Sequence, residues 1–265
     1  MLNLIEIYKN EFHHTKKTLG QHFLTTTYFV DKILDAANVT KDADILEIGP
    51  GCGALTYKIL ERGANLTAIE IDTKLVDFLT RYLHFYPNFK IINKDFLEIS
   101  TDDISGKFHF IGNLPYNVST QIVIKCTKLI DHIIDMTFMF QKEVADRIIS
   151  PPKKKTYSSL SVFAQYFFDI KKVCNISGGN FWPNTKVEST VLKFIPKKRV
   201  LEPNDEIKFL QLIRCSFTSK RKMLKNNLDK IIDTDLISKF FGRDNVRAEE
   251  LSIDDFVAFY NFIKK

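Results

Sequence analysis

Asp44-Ile45-Leu46-Glu47-Ile48-Gly49-Pro50-Gly51-Cys52-Gly53-Ala54-Leu55-Thr56 is the stretch that decides the fold. Five residues of strand character run into three glycines spaced two apart, and a helical pattern through Leu60 follows. The chain holds only ten glycines. Three of them within five positions point to a turn where the backbone takes a positive φ, or where a ligand approaches with no Cβ in the way. Strand, glycine turn and helix in that order open a βαβ unit. Gly49, Gly51 and Ala54 satisfy the GxGxxG/A pattern of a dinucleotide site, and Gly49, Gly51 and Gly53 fit the GxGxG loop that holds the adenosyl group of S-adenosylmethionine (SAM). The glycines alone leave both open.

Working outward, strand-like runs at 66–70, 89–92, 108–112 and 136–140 alternate with helical patterns at 72–85 and 120–129. That alternation predicts βαβ units, a parallel sheet with helices on both faces and right-handed crossovers, hence a Rossmann-like α/β fold. Ligands on such sheets bind beyond the carboxyl ends of the strands. Past Pro196 and Pro203 the texture changes to short amphipathic helices at 205–217, 219–228, 236–241 and 253–263. The reading is therefore a catalytic domain over 1–199 and a small all-helical domain over 200–265.

Two acids follow the glycine loop at intervals that suit a nucleotide. Glu70 ends the second strand, where a carboxylate can accept both hydroxyls of a ribose. Asp95 follows the third strand, where an acceptor suits an adenine amine, although a helix cap is the commoner use of such an aspartate. After the fourth strand comes Gly112-Asn113-Leu114-Pro115-Tyr116-Asn117. The N6 of adenine is a poor nucleophile because its lone pair is delocalised into the ring. Acceptors on its two hydrogens favour a pyramidal nitrogen with the lone pair free. The Asn113 side-chain oxygen and a carbonyl of Leu114 or Pro115 are the acceptors this turn offers. Pro115 stiffens the turn and removes a competing N–H, and Tyr116 offers a face to an unstacked base.

Composition narrows the classes. At 265 residues, with 45% hydrophobic and 26% charged residues, the chain can bury a core and is not disordered. Cys52, Cys126, Cys174 and Cys215 lie far apart with no CxxC pair, so neither a disulfide framework nor a metal site is expected, and reduced thiols fit a cytoplasmic protein. Glu6, Lys9 and Glu11 interrupt what a signal peptide would need to be apolar, and no run is long and apolar enough to span a bilayer. Neither secretion nor a membrane partner is expected. The net charge of +6 permits a polyanionic partner. Its placement adds to that: Lys16 and Lys17, Lys153 to Lys155, Lys197 to Arg199, and a run holding Arg214, Lys220, Arg221, Lys222 and Lys225 with no acid among them.

These motifs resemble the ribosomal RNA small-subunit adenine N6,N6-dimethyltransferase family along nearly the whole chain. Lys17-Thr18-Leu19-Gly20-Gln21-His22-Phe23-Leu24 resembles its N-terminal box, in which the sixth position is usually Asn. The glycine loop and the Asn113–Tyr116 turn resemble its cofactor and catalytic motifs. Gln141 to Arg147, Tyr157 to Val162, Phe181 to Ser189 and Arg221 to Leu228 extend the likeness. The resemblance implies a class I SAM-dependent methyltransferase sheet. It implies SAM held by His22, Leu24, Gly49, Gly51, Glu70, Asp95 and Asn113, and a target adenine sandwiched between Tyr116 and Phe181. The implied activity is dimethylation of two adjacent adenosines near the 3′ end of small-subunit ribosomal RNA, by a monomer acting on the subunit precursor. Three rivals stand beside it. An Erm-type enzyme of large-subunit RNA shares the Asn-(Ile/Leu)-Pro-(Tyr/Phe) turn, an NAD-dependent oxidoreductase explains the glycines alone, and a non-catalytic RNA-binding assembly factor could reuse the scaffold.

Overall fold

The structure, a computed structural model, describes residues 3–12, 22–219 and 222–264. Lys16, residues 17–21 of the N-terminal box, and Lys220 and Arg221 of the basic run lie outside them. The chain divides into two compact units, Met1–Ala145 with Ile170–Pro196, and Asp146–Asp169 with Lys197–Lys265. The expected single cut at 199/200 therefore needs correction, because residues 146–169 leave the first unit and join the helical one.

In chain order the elements are α1 (Leu4–Phe12), β1 (Phe23–Leu24), α2 (Thr27–Ala36), β2 (Asp44–Ile48), α3 (Thr56–Glu61), β3 (Asn65–Glu70), α4 (Thr73–Leu83) and β4 (Phe89–Asn93). After these come β5 (Phe108–Asn113), α5 (Ser119–Lys128), β6 (Ile133–Gln141), α6 (Lys142–Ile148), α7 (Ser159–Phe167), β7 (Phe168–Ile176), β8 (Phe181–Trp182) and β9 (Ser189–Pro196). The chain closes with α8 (Pro203–Ser216), α9 (Leu224–Leu228), α10 (Asp235–Phe241) and α11 (Ile253–Ile263).

Seven strands form one sheet in the order β4-β3-β2-β5-β6-β9-β7. The pairs from β4 across to β6 are parallel, while β9 runs antiparallel to β6, from Met136↔Phe194 to Gln141↔Ser189. β2 lies in the middle of the sheet and is apolar enough to be buried along all but its first residue, as a strand covered on both faces must be. α4 shows how the covering helices form. Asp72 caps it by accepting from the Lys74 N–H at 3.1 Å, and Leu75, Phe78, Leu79 and Leu83 recur at three- and four-residue spacing as its buried stripe. Because β2 through β6 run the same way, Ile48, Glu70, Asn93, Asn113 and Gln141 all end on one edge of the sheet. A separate two-stranded pairing joins β1 to β8, Phe23↔Trp182 and Leu24↔Phe181.

The second unit is held largely by aromatic packing. Tyr166 of α7 stands 4.9 Å from Phe209 of α8 between ring centroids, and Phe209 stands 5.8 Å from Tyr260 of α11. The buried Tyr157 hydroxyl donates to the Leu251 carbonyl at 2.9 Å. These contacts explain why residues 146–169 belong here: their aromatic side chains find partners on α8 and at Leu251, just before α11. α11 carries a reciprocal capping box between Ser252 and Asp255. The helix expected over 219–228 is shorter, starting at Leu224. No helix among the described residues is long and apolar enough to cross a membrane.

Candidate active site

The carboxyl edge of the sheet opens into a cavity of about 170 Å³. His22, Leu24, Gly49, Gly51, Glu70, Asp95, Asn113, Leu114, Pro115 and Tyr116 all line it. The sequence motifs, spread over almost a hundred residues, thus meet at one place.

The glycine loop is tight by necessity. Gly51 has φ +59°, and a Cβ there would stand 2.6 Å from the Phe23 ring, far inside contact distance. Gly49 has φ +65° with nothing within 4 Å of where a Cβ would be, so the loop leaves open space at that point. Glu70 is 5% exposed. Its Oε2 accepts from the Gly51 N–H at 3.1 Å and its Oε1 from the Asp72 N–H at 2.9 Å. A carboxylate has about four lone-pair directions, so two remain for a diol. Burial raises the Glu70 carboxyl above its usual range, against the backbone N–H groups of Asp72 and Gly51, which lower it. Asp95 takes the capping role that its position suggested. Its Oδ1 caps the turn at Phe96–Glu98 by accepting from the Leu97 N–H at 2.8 Å, and Oδ2 has no hydrogen-bond partner among the described residues.

Asn113 ends β5, and its amide orientation follows from chemistry. Nδ2 lies 2.8 Å from the His22 carbonyl oxygen, which can only accept, so the NH₂ faces His22 and Oδ1 is left as an acceptor. Of the two carbonyls in the turn, that of Pro115 accepts from the Val118 N–H at 3.2 Å, while none among the described residues donates to that of Leu114. Leu114 is therefore the less committed second acceptor. The Tyr116 hydroxyl is tied to Ser189 Oγ at 2.9 Å, and burial pushes its phenol up, keeping it protonated.

Phe181 requires a correction. It is 1% exposed, packs in the hydrophobic core and does not line the cavity. Pairing of Leu24 with Phe181 in the β1–β8 ladder fixes the strand that buries its ring. In this conformation it offers no face to a base.

Several lining groups were not read from the sequence, Ile71, Phe96 and Glu47 among them. Ile71 is 52% exposed despite its apolar side chain, and an exposed isoleucine directly after the strand-ending acid is the signal that marks it. Phe96 lines the cavity behind Asp95. Glu47 lies beneath the glycine loop, fully buried, accepting from the Thr56 hydroxyl at 2.7 Å. Burial first, and then the nearby Glu70 charge, raise its carboxyl from an ordinary 4.5 to about 8 although the Thr56 bond opposes this. Glu47 is thus protonated at neutral pH. A carboxyl raised on folding contributes stability below its unfolded pKa and loses it as pH climbs through the folded one. Melting temperature should accordingly fall between about pH 4.5 and about pH 8. Glu47→Gln, which mimics the neutral acid, should flatten that fall and melt roughly 5 °C above wild type at the alkaline end. Identical pH profiles for the two proteins would contradict the assignment.

The fold and cavity are those of the doubly wound α/β methyltransferases. The structure of the 23S rRNA methyltransferase ErmE superposes with a TM-score of 0.73 at 22% identity, over 92% of this chain and all of that one. A dimethyladenosine transferase from Plasmodium falciparum gives 0.75 at 28% identity, over 90% of this chain and 96% of that one. The chain belongs to the ribosomal RNA adenine dimethylase family, whose model matches residues 12–265, and it is a methyltransferase. Ribosomal RNA small subunit methyltransferase A from a Sulfurihydrogenibium species is 40% identical over 94% of this chain and 96% of its own length. The protein of the same name from Francisella tularensis subsp. novicida is 39% identical, over 94% and 97% respectively.

Proposed function

We propose that the chain dimethylates N6 of two adjacent adenosines near the 3′ end of small-subunit ribosomal RNA, with SAM as donor, acting as a cytoplasmic monomer on the subunit precursor. One observation carries the reading most directly: the Asn113–Tyr116 turn shares a single cavity with the glycine loop and Glu70. The residues present suit the donor. Open space at Gly49, two spare lone-pair directions on Glu70 and the free Oδ2 of Asp95 match a loop-held adenosyl group with a ribose diol and an exocyclic amine. When bound, SAM supplies a methyl group on a sulfonium, which is already a strong electrophile.

What remains for the protein is positioning. Asn113 Oδ1 and the Leu114 carbonyl accept the two N6 hydrogens and so draw the lone pair out of the ring. Tyr116 stacks on the base, which must leave its own stack at a cost of a few kcal/mol. The same turn counts against a retired scaffold, since an assembly factor has no use for a paired-acceptor elbow at the cavity. Small-subunit particles lacking the modification, incubated with the protein and labelled SAM, should acquire label at adjacent adenosines near the 3′ end. Label confined to large-subunit RNA would transfer the assignment to the Erm type.

Phosphate contacts position RNA without reading its sequence. Arg214 and Lys222 are exposed on the second unit. Replacing Lys220, Arg221 and Lys222 together by Ala should weaken RNA binding and reduce the slope of log affinity against log salt by about 2. An unchanged slope would leave that run as solvated surface.

A further inference from the structure

The Asn113–Tyr116 turn takes one adenosine at a time, so the strand on either side of that adenosine has to run over the surface around the cavity. One strip of this surface starts at the cavity itself. Leu24 of β1 lines the cavity, and the chain around it is pinned to the segment before and after β8. The Thr25 N–H donates to the Asn180 carbonyl at 2.8 Å, the Thr26 hydroxyl to Asn180 Oδ1 at 2.7 Å, and His22 Nδ1 to the Pro183 carbonyl at 2.9 Å. α2 begins there, and Tyr28 in its first turn is 64% exposed. The core does not need this ring, because α2 buries Val30, Ile33 and Leu34 instead.

Charge of one sign gathers beside the ring. Lys32, one turn along the same helix, places Nζ 6.0 Å from the Tyr28 ring centroid, within cation–π range. Lys172 joins it from β7. Burial raises the Cys174 thiol, and the charges of Lys32 and Lys172 both act to lower it, so the two ammonium groups share one neighbour. Neither forms a salt bridge among the described residues, and the acids around them are committed elsewhere. Asp31 and Asp35 of α2 pair with Arg62 at 3.3 and 2.7 Å. Glu188, which feels the Lys172 charge, is bonded to Lys142 at 2.5 Å. Single-stranded nucleic acid is held by this combination, in which cations follow the phosphates and an open ring takes the face of any base. We propose that Tyr28, Lys32 and Lys172 hold the RNA strand beside the target adenosine, with Tyr28 stacked on a neighbouring base and the two lysines on phosphates. This rests on the reading that the substrate is RNA, and it gives the catalytic unit a strand contact of its own, distinct from the basic run of the helical unit.

Tyr28 and Lys172 are exposed and Lys32 is half-buried, so substitution of any of them leaves the core intact. In turnover of the full-length protein on unmodified small-subunit particles, Tyr28→Ala should raise the KM for particles about tenfold, the effect of losing one base–aromatic stack. Its kcat, and its SAM affinity measured by calorimetry, should stay within about twofold of wild type. Tyr28→Trp keeps a stacking face and should restore the wild-type KM. Anisotropy of a labelled single-stranded RNA of about ten nucleotides, holding two adjacent adenosines, gives a readout that needs no turnover. Replacing Lys32 and Lys172 together by Ala should reduce the slope of log affinity against log salt by about 1.4, whereas Tyr28→Ala should weaken binding and leave the slope as it was. A wild-type KM in Tyr28→Ala, a wild-type slope in the lysine pair, or a Tyr28→Trp protein as impaired as Tyr28→Ala would overturn the proposal. So would a parallel loss of SAM affinity in Tyr28→Ala, which would make the start of α2 a support for the donor cavity. Failure of wild type to methylate small-subunit particles would defeat the functional reading instead, and the anisotropy series still judges the strip.

Discussion

Asn113→Ala should lower methyl transfer to small-subunit particles by about a hundredfold or more, with SAM affinity reduced by no more than about fivefold. The reason is geometric. Asn113 Oδ1 is the acceptor left over once the NH₂ is committed to the His22 carbonyl at 2.8 Å, and its loss leaves N6 with its lone pair in the ring. Asn113→Asp sharpens the test. It keeps an acceptor in the right place but sets a carboxylate oxygen against the His22 carbonyl, two acceptors with no hydrogen between them. That variant should not recover activity and should be as slow as Asn113→Ala. Single-turnover rates on particles with saturating SAM would measure both. Wild-type rates in Asn113→Ala would remove the amine-activating role; full activity in Asn113→Asp would show that the bond to His22 is dispensable.

Glu70→Gln is expected to weaken SAM binding about a hundredfold, measured by calorimetry. The carboxylate accepts from Gly51 and Asp72 in the free protein, and a glutamine can satisfy only one of them while turning its own NH₂ on the other. The loop then loses a tether, and the diol loses an acceptor, each hydrogen bond to a charged group being worth about 1.5–3 kcal/mol. pH supplies an independent check. Since burial raises the Glu70 carboxyl, the acceptor form is depleted as pH falls toward that raised value, so wild-type SAM affinity should drop on acidification while that of Glu70→Gln stays flat. An affinity for SAM within about threefold of wild type in the variant would mean that the acid does not hold the donor.

The half of the molecule that could be read from sequence is the half whose signals are local. β2 to β5 each carry an apolar run, and each is followed by the residue that turns the chain, so the sequence alone puts Gly49, Glu70, Asp95 and Asn113 at strand ends. β1 and β8 are two residues long, too short for any periodicity, and their pairing joins segments distant in the chain. That pairing decides the fate of Phe181, so the residue was assigned to the site while the fold commits it to the core. Two further features were hidden for the same reason. The hold of His22 on Asn113 runs through a backbone carbonyl, which no side-chain pattern reports. The departure of residues 146–169 from the first unit depends on which aromatic partners Tyr157 and Tyr166 find, and those lie on helices many positions later.

The wall of the cavity carried by His22 is fastened to Pro183, 161 positions further on, and Tyr116 is tied to Ser189. During synthesis the glycine loop and the catalytic elbow therefore leave the ribosome before the segment that supports them. Closing a loop of that length is slow and entropically costly compared with forming neighbouring strands. Competence arrives late in the life of the nascent protein, after residue 189 has emerged and the far segment has docked, and a fragment ending short of it keeps the glycine loop and the Asn113–Tyr116 turn without a finished site.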